Sequence, residues 1–200
     1  MLHTMTLQDI TPVAPEALPM AELRDHLRLG SGFATSDLQD DLLIGFLRAA
    51  LAAIEARTGK AILTRMVQLR LSTWGDPCQQ ALPLAPVQSV ARLTLTDPDG
   101  DAEEVDPSRY HLIADSHRPR LIPRGSTLPL IPAGGEAEVQ LSVGFGDWQA
   151  VPPDLAQAVL MLAAHYYEYR DDIGLSSGCM PFGVTALIER HRDLRIGGAS

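Results

Sequence analysis

The first 19 residues follow no steady hydrophobic period and are interrupted by Pro12, Pro15 and Pro19, so residues 1–19 read as an extended arm. A short helix is predicted over 21–29, with Leu23 and Leu27 four apart on one face and Gly30 and Gly32 ending it. The clearest helical period covers 37–58. Ser36 and Gln39 stand at the spacing of a capping box. Asp37, Asp40 and Asp41 lie in the first turns, where the helix dipole favours negative charge. A stripe of Leu43, Leu47, Ala50 and Ile54, widened by Phe46 and Leu51, predicts the buried face. Arg57 falls in the last turn, and Gly59 supplies a left-handed stop.

Beyond Gly59 the period changes from helical to alternating. Strands are predicted at 66–71, at 87–96 (inward Val90, Leu93 and Leu95), at 103–105, 110–113 and 120–122, and at 137–145. The turn Asp97-Pro98-Asp99-Gly100 separates the second and third of these. A proline-rich loop, 123–132, precedes the last. Together they form a small antiparallel β lobe over about 64–146. Helical spacing returns at 154–170, where Pro152 and Pro153 suit a first turn and Leu155, Val159, Leu162, Ala163 and Tyr166 form the stripe. Residues 171–200 read as a Gly/Ser linker followed by a short helix at about 184–194. The order of helices, strands, helices predicts an α+β fold, a helical body with an inserted small antiparallel β lobe, spanning 20–170.

Composition narrows what such a fold can do. Of 200 residues, 46% are apolar but only 5% aromatic, so the core must be built from Leu, Ile, Val and Ala. The longest apolar run, 42–54, is broken by Arg48 and is shorter than the roughly 20 residues that span a bilayer, so no membrane partner is expected. The start of the chain lacks a basic region followed by a long apolar stretch, and assembly in the cytoplasm is expected. A net charge of -9 argues against a protein that grips nucleic acid, because phosphate binding needs clustered Lys and Arg. An acidic wall does suit a conduit that must not hold a passing strand. Cys78 and Cys179 form no CxxC pair and read as ordinary reduced thiols.

The chemical motifs are weak. Asp97, Asp99 and Asp101 alternate like calcium ligands, but the sixth and twelfth positions from Asp97 are Ala102 and Ser108, not Gly and Glu, so a solvated hairpin tip is expected. His3, His26, His111, His117, His165 and His191 make no metal-ligand pair at helical spacing. His165 and Glu168 could do acid–base work, although packing at a helix end is the simpler reading. Gly30-Ser31-Gly32 lacks a nucleophile frame, Gly144-Phe145-Gly146 is followed by Gln149 rather than glycine, and Lys60 is the only lysine. No catalytic residue, metal site or cofactor is expected. Two basic runs remain, Arg118, Arg120, Arg124 and Arg190, Arg192, Arg195. Each is either solvated charge or a dock for an acidic protein surface. The second shares its segment with Phe182, Val184, Leu187 and Ile188, the pattern of a helix laid into a partner's groove.

The order of segments resembles the head–tail connector (adaptor) proteins of long-tailed phages. The resemblance is carried by Leu23-Arg24-Asp25-His26-Leu27-Arg28-Leu29, by Asp40-Asp41-Leu42-Leu43 with Arg57-Thr58-Gly59-Lys60, and by the stretch from Leu82 to Val90. It continues through Asp106-Pro107-Ser108-Arg109-Tyr110, Val143-Gly144-Phe145-Gly146, Val151-Pro152-Pro153-Asp154-Leu155 and Ala164-His165-Tyr166-Tyr167-Glu168-Tyr169-Arg170. It covers about residues 20–170, and the Ala-, Arg- and Leu-rich composition is similar to the adaptor of an alphaproteobacterial gene transfer agent. The resemblance implies a homo-oligomeric, dodecameric ring in the neck of a phage-like particle. That ring would sit between the portal protein and a stopper or tail-completion protein, with DNA passing through its lumen without specific binding. It further implies that a C-terminal segment meets the portal; the basic-apolar pattern of the segment makes Phe182, Val184, Leu187, Ile188, Arg190, Arg192 and Arg195 the candidates for that contact. Candidate inter-subunit residues are Arg118, Arg120, Arg124, Leu128, Leu130 and Ile131. The rivals are a soluble DNA-packaging or regulatory binding module and a hydrolase using His165 and Glu168.

Overall fold

Strict alternation in the middle of the chain becomes a one-sided sheet. The computed structural model of the protein describes residues 4–29, 37–170 and 180–192. In strand β8 (Glu136–Val143), Ala137, Val139, Leu141 and Val143 are buried while the residues between them face outward. Strand β2 (Arg65–Leu71) pairs with it antiparallel, setting Val67 against Leu141, Leu69 against Val139 and Leu71 against Ala137. Strand β4 (Val87–Thr96) pairs on the other side of β8, with Leu93 against Val139 and Leu95 against Ala137. Because the side-chain period is two, these ranks keep every inward residue on one face. The outward face carries Gln68, Gln140 and Arg70, and Glu138 accepts from Gln68 Nε2 at 2.5 Å and from Gln140 Nε2 at 3.0 Å.

The sheet has the order β1-β2-β8-β4-β5, with β1 at Met5–Asp9 and β5 at Ala102–Glu104. The expected arm at 1–19 is therefore not a separate appendage. Its residues 5–9 form an edge strand on β2, every one of them exposed, and Arg65 Nε donates to Asp9 at 2.8 Å. A smaller sheet, in the order β3-β7-β6, comprises β3 (Gln80–Ala81), β6 (Tyr110–Ile113) and β7 (Arg120–Pro123). These strands belong to a β unit formed by the described residues of Met1–Val13 and Leu63–Phe145.

The described residues of Ala14–Ile62 and Gly146–Ser200 form the second, helical unit. It contains α1 (Met20–His26), α2 (Asp37–Thr58), α3 (Pro153–Glu168) and α4 (Phe182–Ile188). The predicted stripe of α2 is buried at Leu43, Leu47, Ala50, Leu51 and Ile54. It packs on α3, where Phe46 meets Tyr167 edge-to-face at 6.2 Å between ring centres. The end of α2 is locked by Thr58 and Gly59, which stood out in the sequence, and by Glu55, which did not. Gly59 takes φ 67, the Thr58 hydroxyl donates to Ile54 O at 2.8 Å, and Glu55 Oε1 accepts from the Ile62 amide at 2.7 Å.

Helix α1 is shorter than expected. It stops at His26 because Arg28, not a glycine, adopts the left-handed conformation at φ 54. The amides of Arg28 and Leu29 return to Asp25 O and Arg24 O at 3.1 and 3.0 Å, a Schellman closure. Arg24 also pairs with Asp40, tying α1 to α2. Gly30, Gly32 and the capping residue Ser36 lie outside the described residues.

Candidate assembly surfaces

The proline-rich loop presents one side chain outward. Trp74 is buried, and its Nε1 donates to Pro129 O at 2.7 Å; the Leu128 amide donates to Pro77 O at 2.8 Å. These bonds fix the loop just before Leu130, and the buried Ile131 follows it. Leu128 and Ile131 turn inward, while Leu130 is 87% exposed. Of the three apolar inter-subunit candidates, only Leu130 is thus on the surface, and Leu128 and Ile131 serve the core of the β unit. Beside Leu130 a shallow cleft of about 250 Å³ is lined by Leu95, Pro132, Asp97, Asp101 and Glu103.

The Asp97–Asp101 turn is built by its own backbone. Asp97 Oδ1 accepts from the amides of Asp99 at 3.0 Å and Asp101 at 2.9 Å, and the Gly100 amide returns to Asp97 O at 3.1 Å. This is an Asx-type staple. It leaves Asp99, Asp101 and Glu103 on the exposed rim. Among the described residues no group of three His, Cys, Asp or Glu side chains is placed to hold a metal.

The first basic run divides. Arg124 Nε donates to Tyr110 O at 3.2 Å, which fixes it to the start of β6. Arg118 and Arg120 line a second cleft of about 520 Å³ with Asp76, Gln79, Gln80 and Asp115. Arg120 Nη1 donates to Gln79 Oε1 at 3.0 Å. The Asp115 carboxylate accepts from the amides of Arg118 and His117, and those two bonds hold its pKa below the usual carboxylate value. The glutamines of this cleft carried no sequence signal, because β3 is only two residues long.

The C-terminal segment differs from its expectation. Helix α4 packs on α3, and Val184 and Ile188 are fully buried there. The approach is close enough that a Cβ on Gly183 would lie 3.0 Å from Met161 Cε. Asp154, in the first turn of α3, clasps the following turn: its Oδ2 lies 2.5 Å from Arg190 Nε and 2.8 Å from His191 Nε2. Partial burial alone would raise the Asp154 pKa. The hydrogen bond and charge of His191, the Leu155 amide and Arg190 outweigh that and hold it below the usual value. Arg192 pairs with Glu189 at 3.1 Å. Of the predicted docking residues, then, Val184 and Ile188 are core, and Arg190 and Arg192 are paired within the chain. Phe182 is 87% exposed and Leu187 half-buried. Arg195 and Cys179 lie outside the described residues, and Cys78 is a free, exposed thiol.

His165 packs on Tyr169 with the rings tilted at 46° and their centres 4.7 Å apart, at the end of α3. No helix among the described residues is long and apolar enough to cross a membrane.

No family model and no curated protein matches the chain. Solved structures do. A chain in the neck of an empty gene transfer agent particle, computed with C6 symmetry, is 49% identical, with TM-score 0.88 over 97% of this chain and 98% of that one. A chain of the virion of a native gene transfer agent particle is 48% identical, with TM-score 0.85 over 96% and 98%. A chain in the neck of the native particle, computed with C12 symmetry, is 45% identical, with TM-score 0.82 over 97% and 98%. An α+β subunit of this kind is a structural connector of a virion neck. The chain belongs to the head–tail adaptor family of gene transfer agent particles.

Proposed function

We propose that the protein forms a homo-oligomeric ring in the particle neck, between the portal and a stopper or tail-completion protein. DNA passes through the lumen without specific binding, and the chain carries out no catalysis. The observation that carries this reading is near-half identity across almost the whole chain to subunits of necks computed with C6 and C12 symmetry, symmetries that a twelve-membered ring accommodates. The net charge of -9 supports passage over retention. Portal contact falls to the outward residues of the C-terminal segment, the exposed Phe182 and Arg192 with the half-buried Leu187. Deleting residues 181–200 would be a poor test, since it would strip Val184 and Ile188 from the core. The test is imaging of particles from cells lacking the gene. Filled heads without tails are expected; complete tailed particles would refute the connector role.

A further inference from the structure

Helix α4 is 7 residues long, has no side-chain hydrogen bond at its N-cap and carries no acidic residue in its first turn. A helix that short is not stable alone in water, so its order comes from α3. Its buried residues, Val184 and Ile188, lie one turn apart on a single stripe. One stripe decides which side of the helix faces inward but leaves it free to tilt and slide. Two further contacts remove that freedom. At its start, Gly183 lies so close to Met161 that a Cβ would sit 3.0 Å from Met161 Cε. Beyond its end, Asp154 Oδ2 meets Arg190 Nε at 2.5 Å and His191 Nε2 at 2.8 Å. An ionised carboxylate only accepts, so both nitrogens present hydrogens to it, and His191 carries a ring proton on Nε2. The two bonds are unequal. Arg190 is 68% exposed and its charge is screened, whereas the His191 and Asp154 side chains are 11% and 17% exposed. His191 is therefore the fixed point. Arg192, the next residue, is exposed, with its guanidinium on Glu189 at 3.1 Å.

We propose that Asp154 is a positioning residue for the portal contact: through His191 it sets the angle at which the α4 segment presents Phe182, Leu187 and Arg192 as one preformed surface. The proposal rests on the portal reading above and adds a residue that orients the contact without touching the partner. Phe182 opens α4 and Arg192 follows the turn after it. A tilt about the buried stripe would move these two ends in opposite directions and break a contact that needs both. A surface already ordered in the free subunit also avoids the ordering cost that binding otherwise imposes. Loss of the clasp thus weakens docking by a route separate from its cost to the fold.

The test separates docking from stability. Heads purified from cells lacking the gene are the probe. The purified full chain is titrated onto them and its binding measured by co-sedimentation, at a temperature where melting curves show every variant folded. D154N should weaken binding at least about tenfold. G144A is the matched control. It harms the β unit through a backbone clash of similar cost to the fold and leaves the Asp154 clasp intact, so it should weaken binding less than about twofold. Binding of D154N at the wild-type level, or a loss in G144A as large as that in D154N, overturns the positioning role. F182D/R192E reads the surface itself and should weaken binding at least about tenfold. If that variant binds as the wild type does, the portal reading of this segment falls instead, so the two failures are distinguishable.

Discussion

The β unit and the helical unit both carry apolar residues next to charged ones, and they use them in opposite ways. In the β unit, Leu130 is held outward by a loop whose flanking residues Leu128 and Ile131 are buried. In the helical unit, Val184 and Ile188 are buried against α3, and Arg190 is drawn back to Asp154. Side-chain type is similar in the two places; what differs is the partner the rest of the chain supplies. Full burial of Val184 and Ile188 contributes about 1.5–3 kcal/mol each. An ion pair as exposed as that of Arg190 adds less than about 1 kcal/mol. Packing therefore anchors α4, and the Asp154 clasp fixes how the turn after it lies.

The contrast breaks first if Ile188 is not core. Ile188→Asp places a carboxylate where the side chain is fully buried, and should cost at least about 4 kcal/mol in denaturant unfolding of the full chain. A loss under 1 kcal/mol would mean that α4 is only loosely applied. The corresponding lesion in the β unit is Gly144→Ala. Gly144 has φ 113, and a Cβ there would lie 2.5 Å from Leu63 O and 2.7 Å from Thr64 Cα. Both neighbours are backbone and have little room to yield, so a loss of about 2–4 kcal/mol is expected by the same measurement.

The two units were also unequally legible from sequence. Period-two alternation located β2, β4 and β8 to within about two residues at each end, because a one-sided sheet writes its burial directly into the chain. β1 left no such mark: all five of its residues are exposed, so no buried face exists to detect. In the helical unit the stripes of α2 and α3 were readable, but their partners were not. An amphipathic segment such as 182–188 announces that one face is covered without saying by what. Here the cover is α3 of the same chain, and the clasp from Asp154 to His191 spans 37 residues with no local pattern. The stop of α1 at Arg28 was hidden for a related reason, since glycine is the usual signal for that conformation and two glycines follow closely. At the assembly surfaces, the charged residues were readable, while the exposure of Leu130 depends on Trp74, 55 residues before Pro129.

The clasp gives the comparison a pH axis. Asp154 has a folded pKa below its ordinary 3.8. Its contribution is therefore complete above that ordinary value and is lost as pH falls through the lower, folded value. Asp154→Asn should cost about 1.5–3 kcal/mol at neutral pH, the range for hydrogen bonds to a charged group. It should also flatten the stability profile below pH 4. An unchanged acid limb, measured by urea unfolding across that range, would show that the clasp is idle.

The smallest expected effect is the sharpest on the β side. Leu130→Ala removes an apolar side chain that is 87% exposed, so it should change the stability of the isolated chain by less than about 0.5 kcal/mol. Ile188→Ala, with a side chain of the same size fully buried, should cost about 2–5 kcal/mol. The stability measurement separates a leucine displayed on the surface from one packed within its own chain. If Leu130→Ala destabilised the lone subunit as Ile188→Ala does, the residue would be packing within its own chain.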